Sequence, residues 1–126
     1  MFESDLARQV LLGMTALVFV LLALRTWWVP ATVARELGYG VGDANGYSEL
    51  HAIYVGLWLM HAALGAWAAV HVEHAILGDI LAVLVLGQPL GRLIAVPHFG
   101  MPHGPMLGFF VLEIVGAVAL LAVRPG

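Results

Sequence analysis

The side chains most capable of acid–base chemistry lie in one apolar stretch of the sequence, at Glu49, His51, Tyr54 and His61. Spacings of three and four residues place the two imidazoles and the phenol on one face of a helix. The full stripe consists of His51, Tyr54, Trp58, His61, Gly65 and Ala68. Glu49 lies about 100° from that face, near the helix start, where the helix dipole favours a carboxylate. These groups could exchange protons with a substrate or hold the polar group of a ligand.

The amino-acid composition is that of a membrane protein. Of the 126 residues, 62% are hydrophobic and only 10% are charged, and the mean hydropathy is +0.97. Soluble domains contain roughly 45–50% apolar residues. In a bilayer, an acid or base at the centre costs roughly 2.5–3.5 kcal/mol, so the candidate residues need polar partners.

Four apolar segments are long enough to cross the hydrocarbon core as helices. The predicted spans cover residues 10–28, 48–70, 76–96 and 106–123. They predict one all-α domain, an integral membrane four-helix bundle with antiparallel spans. Arg25, in the last turn of the first span, is expected to reach the headgroups. The few basic residues leave the membrane orientation open.

The connections between the spans carry turn signals. Residues 29–48 are rich in glycine, and within them residues 31–37 could form two helical turns on the membrane surface. Three residues could cap the next helix, namely Asp43, Asn45 and Ser48. Pro89 should kink the third span. We expect a tight loop at residues 97–105, which contain three prolines.

Arg92 in the third span and Glu113 in the fourth are the partners that the sequence offers to this polar face. At 1.5 Å of rise per residue, Arg92 shares a layer with Glu49 and His51, about 5 Å inside the spans. Glu113 and His61 lie roughly 10–20 Å from the same surface. The predicted polar site comprises Glu49, His51, Tyr54, His61, Arg92 and Glu113. Arg92 could pair with Glu113 or Glu49 to fix helix register, and the site could line a ligand pocket; the two interpretations are compatible.

Several other kinds of chemistry find little support. The chain has no cysteine, which excludes disulfides, thiolate ligands and a thiol nucleophile. Its two serines lack a nucleophile elbow. His51 and His61 are about 15 Å apart along one helix and cannot share an ion, so we predict no metal site, and no cofactor is indicated. The remaining histidines, expected to be solvated, are His71, His74, His98 and His103. A net charge of -3 gives no reason to expect nucleic-acid binding.

Short motifs in three of the spans resemble those of the small bacterial four-span membrane proteins grouped as domain of unknown function 4345. They are Asn-Gly at 45–46, Glu-Leu-His-Ala-Ile-Tyr-Val-Gly at 49–56, Leu-Gly-Arg-Leu-Ile at 90–94 and Leu-Glu-Ile at 112–114. The resemblance covers nearly the whole chain. It implies four helices, a location in the bacterial inner membrane, and a shared motif at Glu49, Arg92 and Glu113, but no reaction. At His51 the family pattern usually has Arg, so this site is potentially sensitive to pH.

We predict a multi-pass protein whose second, third and fourth spans surround a polar site for a small lipophilic or lipid-like ligand with one polar group. One alternative is an accessory subunit of a larger membrane complex, docking through its small-residue faces on a partner or a second copy. Another, less favoured, is a membrane-embedded acid–base enzyme that uses Glu113 with His61 or Tyr54. Membrane lipids are the expected surroundings in every case.

Overall fold

In a computed structural model, which describes residues 2–126, helices dominate the chain. Helix α1 (Asp5–Trp28) starts where the Ser4 hydroxyl accepts a hydrogen bond from the Ala7 N–H at 3.1 Å. The other helices are α2 (Pro30–Glu36), α3 (Ala44–His51), α4 (Trp58–Val70), α5 (Ala75–Phe99) and α6 (Pro105–Ala122). A π-helical segment, Ala52–Leu57, joins α3 to α4. Two-residue strands β1 (Phe2–Glu3) and β2 (Val123–Arg124) pair in parallel.

Four helical runs within the described chain are long and apolar enough to cross a membrane. They are Asp5–Trp28, Ala44–Val70, Ala75–Phe99 and Pro105–Ala122, with hydropathies between 1.6 and 2.2. Large apolar side chains on their outer faces are exposed, as lipid-facing residues are. The predicted all-α fold class is confirmed, and the chain is a multi-pass membrane protein.

The connections differ from the prediction at two helix ends. Of the three candidate caps, Asp43 is the one used, and its carboxylate accepts a hydrogen bond from the Gly46 N–H at 3.2 Å. The helix therefore begins four residues before the predicted span. Helix α5 runs through Pro89 and continues to Phe99, so the connection between α5 and α6 is shorter than the loop predicted at residues 97–105. Glycines with positive φ, Gly100 at +85° and Gly104 at +61°, bound it.

The helices pack around a core to which all four membrane-spanning runs contribute. Its centre includes Leu12 of α1, Leu81 of α5 and Leu120 of α6, each with no more than 1% of its surface exposed. Gly65 of α4 lies where these helices approach most closely: a Cβ there would lie 3.2 Å from the Ala16 Cβ and 3.3 Å from the Leu12 carbonyl oxygen. Small residues permit such close backbone approach in membranes.

Replacing Gly65 with alanine should lower the free energy of unfolding by about 1–2 kcal/mol, because the added methyl group presses on the α1 backbone, which cannot rotate away. The matched control is Gly87→Ala in α5, where a Cβ meets no atom within 4 Å. There the change should be neutral or slightly stabilising, since alanine favours helix. Unfolding in detergent followed by circular dichroism measures both. Equal stabilities of the two variants would contradict the close packing of α1 on α4.

Candidate functional site

An ion pair between α5 and α6 forms the centre of the site. The Arg92 guanidinium donates a hydrogen bond to the Glu113 carboxylate. Both side chains are largely shielded, with 24% and 13% of their surfaces exposed. The contact brings together opposite charges that would each be costly alone in the hydrocarbon region. Of the two acidic partners that the sequence offered to Arg92, the structure uses Glu113.

Gln88 and Trp58 extend this pair into a chain of hydrogen bonds. With the Gln88 amide oriented so that both of its polar atoms find partners, its nitrogen donates to Glu113 Oε1 at 2.8 Å. Its oxygen then accepts from Trp58 Nε1 at 3.1 Å. Gln88 lies four residues before Arg92, so both side chains lie on one face of α5. The chain of bonds therefore connects α4, α5 and α6.

Tyr54 reaches the same site from the π-helical segment. Its ring packs edge-on against Trp58, with the ring centroids 4.9 Å apart. Its hydroxyl lies 3.2 Å from the Tyr39 hydroxyl, which belongs to the connection between α2 and α3. A π turn uses i→i+5 hydrogen bonds and often marks a functional position inside a membrane-spanning or soluble helix. The phenol is thereby held between the connection and the bundle interior.

These polar groups lie toward one end of an elongated cavity of about 290 Å³ between α1, α4, α5 and α6. Along α1 the lining runs from Leu11 to Leu22, about 16 Å at 1.5 Å per residue. Apart from the polar cluster and Thr15, the lining side chains are apolar. Met14 of α1 and Val115 of α6 also line it and are more than half exposed on the outer surface. The cavity therefore opens sideways, toward lipid, between α1 and α6.

Three of the predicted residues, Tyr54, Arg92 and Glu113, line this cavity together. Glu49 instead lines a second cavity of about 350 Å³ under the glycine-rich connection, which Tyr54 also borders. Tyr54 thus separates the two spaces. The structure places Glu49 on the connection side of that phenol.

The two histidines of the predicted stripe are bonded within their own helices. The Nδ1 of His51 donates to the Tyr47 carbonyl at 2.7 Å, and the Nδ1 of His61 donates to the Leu57 carbonyl at 2.7 Å. His61 is buried, with its ring centroid 5.0 Å from that of Phe19. From Trp58 onward the residues of the predicted stripe are buried, whereas His51, on the other side of the π-helical segment, is only partly buried.

Gln88 and Trp58 are site residues that the sequence analysis did not select. Gln88 is uncharged and precedes Pro89, so its residue type alone does not mark it as a member of an ion-pairing site. Its position four residues before Arg92 was the signal that could have identified it. Trp58 was placed on the stripe, but its indole N–H was not assigned a partner. Both are polar groups inside an apolar helix, where a hydrogen-bond partner is required.

A second polar cluster lies at the opposite end of the bundle, where both termini meet. Arg8, only 1% exposed, contacts Asp79 at 2.9 Å, and Arg124 donates to the same carboxylate at 2.7 Å. The hydrogen bond to Asp79 raises the pKa of the Arg124 guanidinium above its usual value. This cluster connects α1, α5 and β2.

Two further ion-pairing groups lie at the ends of the membrane-spanning helices or in their connections. Arg25 forms two hydrogen bonds with Glu36 at 2.6 and 2.7 Å, and this contact holds the pKa of the Glu36 carboxyl below its usual value. In the turn after α4, Glu73 lies 3.6 Å from both His71 and His74. The backbone N–H of Glu73 makes the largest contribution to lowering the pKa of the Glu73 carboxyl, and these imidazoles lower that pKa further. Residues 2–126 contain no group of three or more side chains placed to hold one metal ion.

The site combines an apolar cavity with a compact polar end that can both donate and accept hydrogen bonds. A guanidinium carries five N–H donors, and a carboxylate carries about four acceptor positions. The contacts among Arg92, Glu113 and Gln88 use only part of this capacity. The arrangement can therefore hold one polar group of an otherwise apolar molecule.

A comparison with models of protein families matches residues 7–123 to the family described as Domain of unknown function (DUF4345). The matched range includes all the residues that line the cavity. No curated protein and no solved structure matches the chain.

Proposed function

Because the chain belongs to the Domain of unknown function (DUF4345) family, whose description assigns no activity, we propose a function from the site itself: the protein binds a small, single-chain lipophilic molecule that carries one polar group. The observation that carries this proposal is the cavity between α1 and α6, which is apolar along its length and holds Arg92, Glu113, Gln88 and Tyr54 toward one end. The ligand enters from the bilayer, with its polar group against the ion pair.

The size of the cavity supports a small ligand. Ligand pockets commonly measure roughly 300–1,000 Å³, and the volume of about 290 Å³ lies just below that range. A single chain with a compact head suits this space better than a two-chain phospholipid does. The lateral opening beside Met14 and Val115 suits a molecule that is already dissolved in the membrane. We place the protein, by the same proposal, in the bacterial inner membrane.

Replacing Gly116 with leucine should abolish ligand retention. Gly116 lines the cavity, and a Cβ at this position meets no heavy atom within 4 Å, so the larger side chain starts in open space and is expected to occupy ligand space. Native mass spectrometry of the protein extracted from its own membrane in mild detergent measures the result. Wild-type protein should carry a reproducible added mass, and in the variant the affinity should fall at least about tenfold, equivalent to about 1.4 kcal/mol.

The matched control is Gly87→Leu, the same exchange at an exposed position of α5 that also has open space around it. This variant should keep the added mass. If wild-type protein carries no added mass, or carries one that Gly116→Leu leaves unchanged, the binding proposal is wrong. Recovery of the chain only in complex with other proteins would favour the accessory-subunit alternative.

A further inference from the structure

The charges that face the cavity cancel. Among the lining residues, Arg92 and Glu113 are the two with formal charges, and they are bonded to each other. The other polar side chains there are uncharged. They are Thr15, Tyr54, Trp58 and Gln88. The Thr15 hydroxyl is already directed to the Leu11 carbonyl at 2.8 Å within its own helix. The polar end therefore has no net charge to offer a ligand.

A charged headgroup would disturb this balance. In an apolar, membrane-embedded space an added charge is poorly screened, and it needs an opposite charge of its own. An anion bonded to the remaining N–H groups of Arg92 leaves the site with two negative charges and one positive charge, and a cation bonded to Glu113 leaves it with two positive charges and one negative charge. Either arrangement leaves one shielded charge without a balancing partner, which is costly in a buried site.

An uncharged hydroxyl fits the pair as it stands. A hydroxyl group both donates and accepts hydrogen bonds, whereas a carbonyl or ether oxygen only accepts. It can accept from a guanidinium N–H of Arg92 and donate to a carboxylate oxygen of Glu113 without separating them. Building on the binding function proposed above, we propose that the ligand's polar group is an uncharged hydroxyl, so that the protein selects a long-chain alcohol over the corresponding acid, amine or ether.

Four ten-carbon probes test this selection on the wild-type protein: decan-1-ol, decanoate, decylamine and 1-methoxydecane. Each is added at the same mole fraction in detergent at neutral pH, and native mass spectrometry measures the occupied fraction. The alcohol should bind at least about tenfold more tightly than each of the others, equivalent to about 1.4 kcal/mol. Equal or tighter binding of decanoate, decylamine or the ether would overturn the proposal.

Charge variants provide the second measurement. Glu113→Gln gives the cavity a formal positive charge and should shift the preference to decanoate. Arg92→Gln gives it a formal negative charge and should shift the preference to decylamine. The matched controls are Glu73→Gln and Arg35→Gln, which change the net charge equally at exposed positions outside the cavity. They should leave the preference for the alcohol unchanged. An unchanged preference in both cavity variants contradicts the proposal.

The outcomes separate this inference from the function on which it rests. Binding of decanoate in preference to the alcohol, abolished by Gly116→Leu, would leave the binding function standing and refute the hydroxyl selection. Binding of none of the four probes to wild-type protein would count against both. A preference for the alcohol that Gly116→Leu does not reduce would place the selection outside this cavity and refute the inference.

Discussion

Replacing Arg8 with methionine should lower the free energy of unfolding by about 3–5 kcal/mol, because several shielded carbonyl groups lose their donor and each unsatisfied group costs about 1–3 kcal/mol. The Arg8 guanidinium donates to the Leu120 and Val123 carbonyls at 2.6 and 2.7 Å, and to Ala75 and Asp79 at 2.9 Å. The first two carbonyls lie at the end of α6, where carbonyl groups lack helical partners. Methionine fills similar space but satisfies none of these acceptors.

The same guanidinium explains why residue 78 is glycine. A Cβ at Gly78 would lie 2.5 Å from an Arg8 terminal nitrogen and 3.1 Å from the guanidinium carbon, so alanine there must push the arginine from its position. We expect Gly78→Ala in the wild-type background to destabilise the protein strongly, although alanine normally favours a helix by about 0.5–1 kcal/mol over glycine.

The double variant separates steric displacement of Arg8 from any other effect of residue 78. In the Arg8→Met background, Gly78→Ala should be nearly neutral or stabilising, because the flexible methionine can yield and the helix gains alanine. Unfolding in detergent followed by circular dichroism gives all four free energies of the cycle. Additive losses, with Gly78→Ala equally costly in both backgrounds, would show that Arg8 does not fill the space beside that glycine.

The sequence could predict the four membrane helices because the bilayer restricts the possible structures so strongly. Any apolar segment of about 20 residues must satisfy its backbone internally as a helix. The partnership of Arg92 with an acid followed from the same reasoning, since a charge in a membrane requires a partner. The estimated depths alone could not show whether Glu49 or Glu113 is the partner of Arg92, because each depth carries an error of about one helical turn. The choice depends on how the helices pack.

Two features of the structure could not be predicted from residue types. The π-helical segment Ala52–Leu57 lies between His51 and His61, and its i→i+5 hydrogen bonds break the α-helical spacing on which the predicted stripe depends. Burial of Arg8 depends on three distant segments meeting beside it: the start of α5, the end of α6 and β2. From the sequence, Arg8 was only a charge near a terminus. Both features arise from tertiary packing.

Removing both members of the Arg92–Glu113 pair should restore stability but not ligand binding. Arg92→Met alone leaves a largely shielded carboxylate without its cationic partner, and we expect a loss of about 2–4 kcal/mol, somewhat less than for a fully buried pair. In the double variant Arg92→Met/Glu113→Leu no charge is left unpaired, so most of that loss should be recovered. The charged groups of the cavity are then absent, and the added mass in native mass spectrometry should disappear.

These measurements also test whether the ion pair has the ligand-binding role, which is compatible with a role in fixing helix register. If the pair holds the ligand's polar group, stability recovers while binding is lost. If it serves only to fix helix register, stability also recovers but the ligand is retained. A matched control is Arg25→Met/Glu36→Leu, which removes an exposed ion pair at the loop and should alter neither quantity appreciably. Retention of the ligand by the Arg92→Met/Glu113→Leu variant would show that the polar group binds elsewhere, because no charged contact then remains in the cavity to hold it.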